Sequence, residues 1–341
     1  ITGTLGRLGL NSWKLGQNNE ASLLLQEAIE KSNSINDQTS RKLLQADLYT
    51  VLGDIELSLG KYEKSLSNYQ NAMQSVAESN NSVYLAAISQ GKAAAFLAQN
   101  RVSEAESELQ KSISLIENDR NHIFDAGGRS IFLVRSQNAY NAMIDLQYKY
   151  KQNPSLAFNY AEVVKSRDIL DSVTNRASTK EIDGRLEVAL SGSARPLKLH
   201  QIQRSLPGHL QVLSYSITEN DLIIWHITND TFSSTSVRIP VNQFKKLATD
   251  YLSSIRSKAD LNKTKRLASE LYRYLIFPVA DKLDTNRQLC VIPDTAFNKL
   301  PFSSLFSTDK NRYLVEDYSI INSPSASILL ETINLAKGKP A

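Results

Sequence analysis

Over residues 1 to about 117 the chain repeats itself, and that constrains its fold more than any other feature. Gly9, Gly53 and Ala93 align at spacings of 44 and 40 residues. Seven residues after each stand Gly16, Gly60 and Asn100, and five further stand Ala21, Ser65 and Ala105. Leu25, Tyr69 and Leu109 follow, then Ala28, Ala72 and Ser112, then Ile29, Met73 and Ile113. Small residues at the first and third positions let two antiparallel helices approach closely. Gly or Asn at the second suits the left-handed turn that ends a helix. The large apolar positions fill the space between successive helical hairpins, so stacked units share a continuous core.

This pattern resembles tetratricopeptide repeats, whose usual period is roughly 34 residues. The longer spacing implies longer helices or loops, and 33–37 and 78–82 read as polar loops. The resemblance implies a groove lined by the first helix of each pair, open to a protein or peptide partner. Residues 118–178 continue the helical pattern less regularly. Gly127-Gly128 marks a break, Ile131 to Lys151 reads as one long helix, and Pro154 starts another. The segment Ala161-Glu162-Val163-Val164-Lys165-Ser166-Arg167 reads as the last helix of a fourth, divergent repeat. The expected organisation is a helical solenoid over 1–178, a linker over 179–205 and a second domain over 206–341.

From Leu210 the period changes from helical to strand. Val212–Ile217, Leu222–Ile227 and Ser234–Ile239 read as an antiparallel meander, with Asn220-Asp221 and Asn229-Asp230 at the turns. Helices are expected from Val241 to about Lys258 and from Thr264 to Phe277. Leu289–Ile292 is wholly apolar, as a strand covered on both faces would be. Tyr318–Ile321 reads as another strand, and Ser323 or Ser325 as the cap of a helix holding Ile328, Leu329 and Ile333. Strands, helices, then strands indicate an α/β layered domain.

Four elements of this second part resemble the CHAT family, caspase-like domains that occur beside tetratricopeptide repeats. They are Cys290-Val291-Ile292-Pro293-Asp294, Leu300-Pro301-Phe302, Tyr313-Leu314-Val315-Glu316 and Ser323-Pro324-Ser325-Ala326. The resemblance spans about 206–341 and covers only the N-terminal, non-catalytic part of such a domain. It implies a pseudo-protease layer like that of separase. The family's catalytic His (in a His-Gly step) and Cys (in a Ser-Ala-Cys step) would lie downstream of Ala341; neither step occurs in this chain. The fold class expected is thus a repeat solenoid followed by a caspase-like α/β part-domain. The function implied is the interaction and regulatory portion of a cysteine peptidase, with the C-terminal caspase-like half of its parent as one partner. The alternative is a catalytically inactive adaptor. The chain begins at Ile1, inside a repeat, so a longer parent is expected at both ends.

No residue here is a candidate for catalysis, cofactor binding or metal binding. Cys290 is the lone cysteine and lies in an apolar strand, so it reads as an inert core thiol. A single cysteine rules out an internal disulfide framework and fits a reducing, cytoplasmic setting. His122, His200, His209 and His226 show no metal-ligand spacing. His226 alternates with Trp225 and reads as a surface or edge histidine. Net charge is +4, and the residues after 178 carry 21 basic and 16 acidic side chains. The basic excess includes Lys245, Lys246, Arg256, Lys258, Lys263, Lys265, Arg266 and Arg273. Interspersed acids and the lack of a stacking motif disfavour a nucleic-acid partner, and no apolar run is long enough to span a bilayer.

Overall fold

The computed structural model describes residues 2–77, 81–120, 137–177, 196–258 and 260–337. They form two compact units, dividing between Leu146 and Gln147.

The first unit is a stack of helical hairpins. Helices α1 (Thr2–Lys14) and α2 (Asn18–Ser32), α3 (Gln38–Ser58) and α4 (Tyr62–Val76), and α5 (Ser82–Ala98) and α6 (Val102–Arg120) pair within each repeat. At Gly9 and Gly53 the aligned small residue faces the aligned large one. A Cβ at Gly9 would meet Leu25, and one at Gly53 would meet Tyr69. The turns are left-handed where expected, with φ of 79° at Gly16, 72° at Gly60 and 58° at Asn100. Asp37 caps α3 by accepting from the Ser40 amide at 2.8 Å. Of the long helix expected over 131–151, residues 137–145 are α-helical and Leu146–Tyr150 continue as a π-helix. Residues 131–136 and Gly127-Gly128 lie outside the described residues.

The second unit is a three-layer α/β sandwich. Its five-stranded sheet has the order β3-β2-β1-β4-β7, built from β1 (Leu210–Ile217), β2 (Asp221–Ile227), β3 (Phe232–Arg238), β4 (Gln288–Ile292) and β7 (Ile320–Asn322). The first three strands are the expected antiparallel meander, and β4 and β7 add in parallel to β1 and β4. One face, carrying Leu213, Tyr215, Ile224, Leu289 and Val291, packs on α9 (Val241–Arg256) and α10 (Leu261–Leu275). A two-stranded hairpin, β5 (Phe306–Ser307) with β6 (Arg312–Tyr313), leads into the short α11 (Leu314–Asp317).

Helix α7 (Pro154–Ala177) covers the opposite face. Phe158 packs edge-on against Trp225 at 5.6 Å, and the Trp225 indole donates to the Pro154 carbonyl at 3.2 Å. Helix α12 (Ala326–Lys337) packs against α7, and α8 (Leu199–Ser205) touches both. The division therefore falls ahead of the expected limit at 178: the helix counted with the repeats buries its side chains in the second unit. Of the expected linker, 199–205 is the helix α8, with Leu199 and Ile202 buried. Among the described residues no helix is long and apolar enough to cross a membrane.

Candidate functional site

In open α/β sheets, chemistry gathers outside the carboxyl ends of the parallel strands. Here those ends belong to β1, β4 and β7, and α7 delivers two charged side chains to them. Glu162 and Lys165 share a helical stripe with Phe158 and Ala161, and all four are buried. The Lys165 ammonium donates to Ser214 Oγ at 2.8 Å and to the Ile292 carbonyl at 3.4 Å, tying β1 to β4. The Glu162 carboxylate accepts from the amides of Ala326 at 3.2 Å and Ser327 at 2.7 Å. A carboxylate there satisfies otherwise orphaned donors of α12 and meets its positive end. Ser325 supplies the N-cap, accepting from the Ile328 amide at 3.2 Å, and Ser166 bridges Glu162 to Ser325.

Burial lowers the Lys165 pKa to about 8, partly offset by the charges of Asp294 and Glu162. A lysine so tuned and 2.8 Å from a serine hydroxyl has the spacing of a Ser–Lys nucleophile pair. Ser214, however, is completely buried within β1, under α7, where no acyl substrate reaches it. The cluster therefore acts as a buried electrostatic pin between helix, sheet and the start of α12. Sequence reading missed it. Its only signal was two opposite charges, three residues apart, on an otherwise apolar stripe.

The residues singled out from the sequence are dispersed. Cys290 is completely buried, and burial together with the Glu162 charge pushes its thiol up to about 12, so it is an inert core residue as expected. His226 is only 5% exposed, which corrects its reading as a surface or edge residue. Strand β2 lies inside the sheet with both faces covered, and His226 Nε2 sits 3.3 Å from Gln211 Oε1. His200 and His209 are exposed, and His122 lies outside the described residues. Among the described residues no three His, Cys, Asp or Glu side chains gather as metal ligands do. Asp294 closes the expected turn: one oxygen accepts from the Ala296 amide and the other from the Ile217 amide, each at 2.9 Å. Phe302 returns to the core. The basic side chains spread over α9 and α10, and Lys245, Lys246, Arg256, Lys258 and Lys263 are solvated.

In the first unit, α3 packs on both α1 and α5, so the first helices of the pairs lie side by side. Tyr84 of α5 donates to Asp47 of α3 at 3.1 Å. Two turns along α3, Asp54 accepts from the Tyr69 hydroxyl at 2.6 Å, and burial raises the Asp54 pKa. The Tyr69 ring stands between Gly53 and Gly91.

One family match falls in each unit. A tetratricopeptide repeat family matches residues 44–118, and the CHAT domain family matches residues 265–340. No curated protein matches the chain. The CHAT match begins inside α10, yet β4 and β7 within it are completed by β1, β2 and β3 of the same sheet. The chain thus carries a tetratricopeptide repeat match and a CHAT domain match in one sequence.

Proposed function

We propose that this chain is the partner-recognition and regulatory portion of a caspase-like cysteine peptidase. The repeats receive a protein or peptide segment along α1, α3 and α5. The α/β unit is a pseudo-protease layer beside a C-terminal caspase-like half. That half carries the catalytic pair: a thiolate attacks the substrate carbonyl while a histidine acts as base. The observation that carries this reading is the pairing of repeats with a CHAT match in one chain. Strand β7 adds support: among the described residues it pairs with β4 alone, leaving a parallel edge on which a further strand can add. The single, unpaired cysteine fits a cytoplasmic setting.

The repeat match favours one second reading, a catalytically silent adaptor that holds a partner in the repeat groove. The full parent protein separates the two. Added to a cell extract, it should generate new peptide N-termini that vanish when the cysteine of a downstream Ser-Ala-Cys step is replaced by alanine. Replacing Asp47 and Tyr84 by alanine should reduce their number while sparing the fold. A parent that yields no new termini, or yields them regardless of that cysteine, would remove the peptidase reading and leave the adaptor.

A further inference from the structure

Away from the strand-end cluster, the α/β unit holds a concave feature that the proposed function does not use. A cleft of about 860 Å³ opens between α10, Val237 of β3 and the β5–β6 hairpin. Its charge is one-sided: Lys265, Arg266 and Arg273 line it, against the single carboxylate of Glu270. Arg266 and Arg273 are solvent-exposed, and neither forms an ion pair or hydrogen bond among the described residues. Lys265 sits 3.9 Å over the Phe306 ring and 3.4 Å from Asn311 Oδ1, so no carboxylate neutralises it either. Cations gathered in a concave wall raise the local potential and draw in anionic ligands.

The spacing narrows the class of ligand. Arg266 and Arg273 are seven residues apart on one helix face, a rise of about 10.5 Å. Three residues of polyproline II chain rise about 9.3 Å and return the side chain to the same face, a span that long arginine side chains bridge. Two carboxylates three positions apart in a peptide of that conformation would therefore lie on one side and each meet one guanidinium, whose planar fork matches carboxylate geometry. Nucleic acid fits less well, because single-strand binding uses free aromatic faces for stacking. Here Phe306 is covered by Lys265 and by Tyr313, at 5.1 Å, and Tyr274 packs edge-on against Phe244 at 5.8 Å. We infer that this cleft binds an extended acidic peptide segment, with Arg266 and Arg273 holding two carboxylates three residues apart.

Fluorescence anisotropy tests this on the full chain. The probes are a labelled Gly/Ser peptide with two glutamates three residues apart, its glutamine counterpart and a labelled oligothymidylate. The diglutamate peptide should bind saturably and weaken as salt rises. The doubly substituted Arg266→Ala, Arg273→Ala protein should bind it at least about ten-fold more weakly. Glu270→Gln should tighten binding by removing the one repulsive charge. The three side chains are exposed, and matching melting curves would establish that the variants are folded. The inference falls if the diglutamate peptide does not saturate, if its diglutamine counterpart binds equally well, or if the arginine substitutions leave affinity unchanged. It also falls if oligothymidylate binds more tightly through the same arginines, which would make the occupant a nucleic acid. The readout needs neither the repeat groove nor peptidase activity, so this proposal and the proposed function can fail separately.

Discussion

Replacing Gly53 by alanine sets two opposing effects against each other, and the sign of the outcome tests the repeat packing. In a helix interior, Gly→Ala ordinarily gains about 1 kcal/mol. At this position the new Cβ would lie 2.5, 2.8 and 2.9 Å from three atoms of the Tyr69 ring. The ring cannot retreat: it is fully buried, a Cβ on Gly91 would lie equally close to it, and its hydroxyl is tied to Asp54 at 2.6 Å. Overpacking a filled core typically costs about 1–3 kcal/mol. The net expectation is a loss of about 1–2 kcal/mol, because a contact at 2.5 Å between two confined groups belongs at the costly end of that range. Urea denaturation of the full chain, followed by circular dichroism, reads this as a lower midpoint of the repeat transition at unchanged slope. In the Tyr69→Leu background the clash disappears, and the same Gly53→Ala change should become neutral or stabilising by up to about 1 kcal/mol. If Gly53→Ala raises the midpoint in the wild-type background by the full propensity gain, the glycine slot for Tyr69 is not real.

Two further outcomes test the second unit. His226 is held neutral, its pKa lowered from 6.5 to about 4 by burial and by Lys282 and Arg287. The unfolded chain therefore takes up the proton first, and stability falls as pH drops from 6.5 through 4, by about 3 kcal/mol in full. His226→Gln, which retains a donor toward Gln211, should flatten that acid limb, and parallel limbs for the two proteins would refute the assignment. Cys290, with its thiol near 12, presents a thiolate fraction on the order of 10⁻⁴ at pH 8 and no exposed surface. Iodoacetamide should therefore label it only after urea unfolding, and rapid labelling of the native protein would contradict its burial.

The sequence carried the repeats well because each position reports a local event. Gly16, Gly60 and Asn100 mark turns that need positive φ, and Gly9 and Gly53 mark close approaches beside Leu25 and Tyr69. Strands β2 and β4 were legible as apolar runs. What a helix packs on is not a local property. The stripe through Phe158, Ala161 and Lys165 has the period of any repeat helix, and only Trp225, Ser214 and Ser325, distant in sequence, place it in the α/β unit. His226 was misread because alternation of side chains implies a wet face, whereas β2 lies inside a sheet covered on both sides. The β5–β6 hairpin, with two residues per strand, is too short to leave a periodic signal. The cleft beside it was likewise invisible, although its cations were noted as a basic run.

Helix α7 also bears on how such proteins can be assembled by gene fusion. A junction placed after Ala177 would leave the CHAT-side partner without Glu162, Lys165 and Phe158. It would uncover Trp225, strip the orphan amides of α12 of their carboxylate and expose Ser214. The same cut would leave the repeat-side partner with the apolar stripe of Phe158 and Ala161 uncovered. A junction near the division between Leu146 and Gln147 keeps that set of contacts on one side. Exchange of repeat arrays between relatives is thus physically easiest upstream of α7, with the helix inherited together with the sheet it covers.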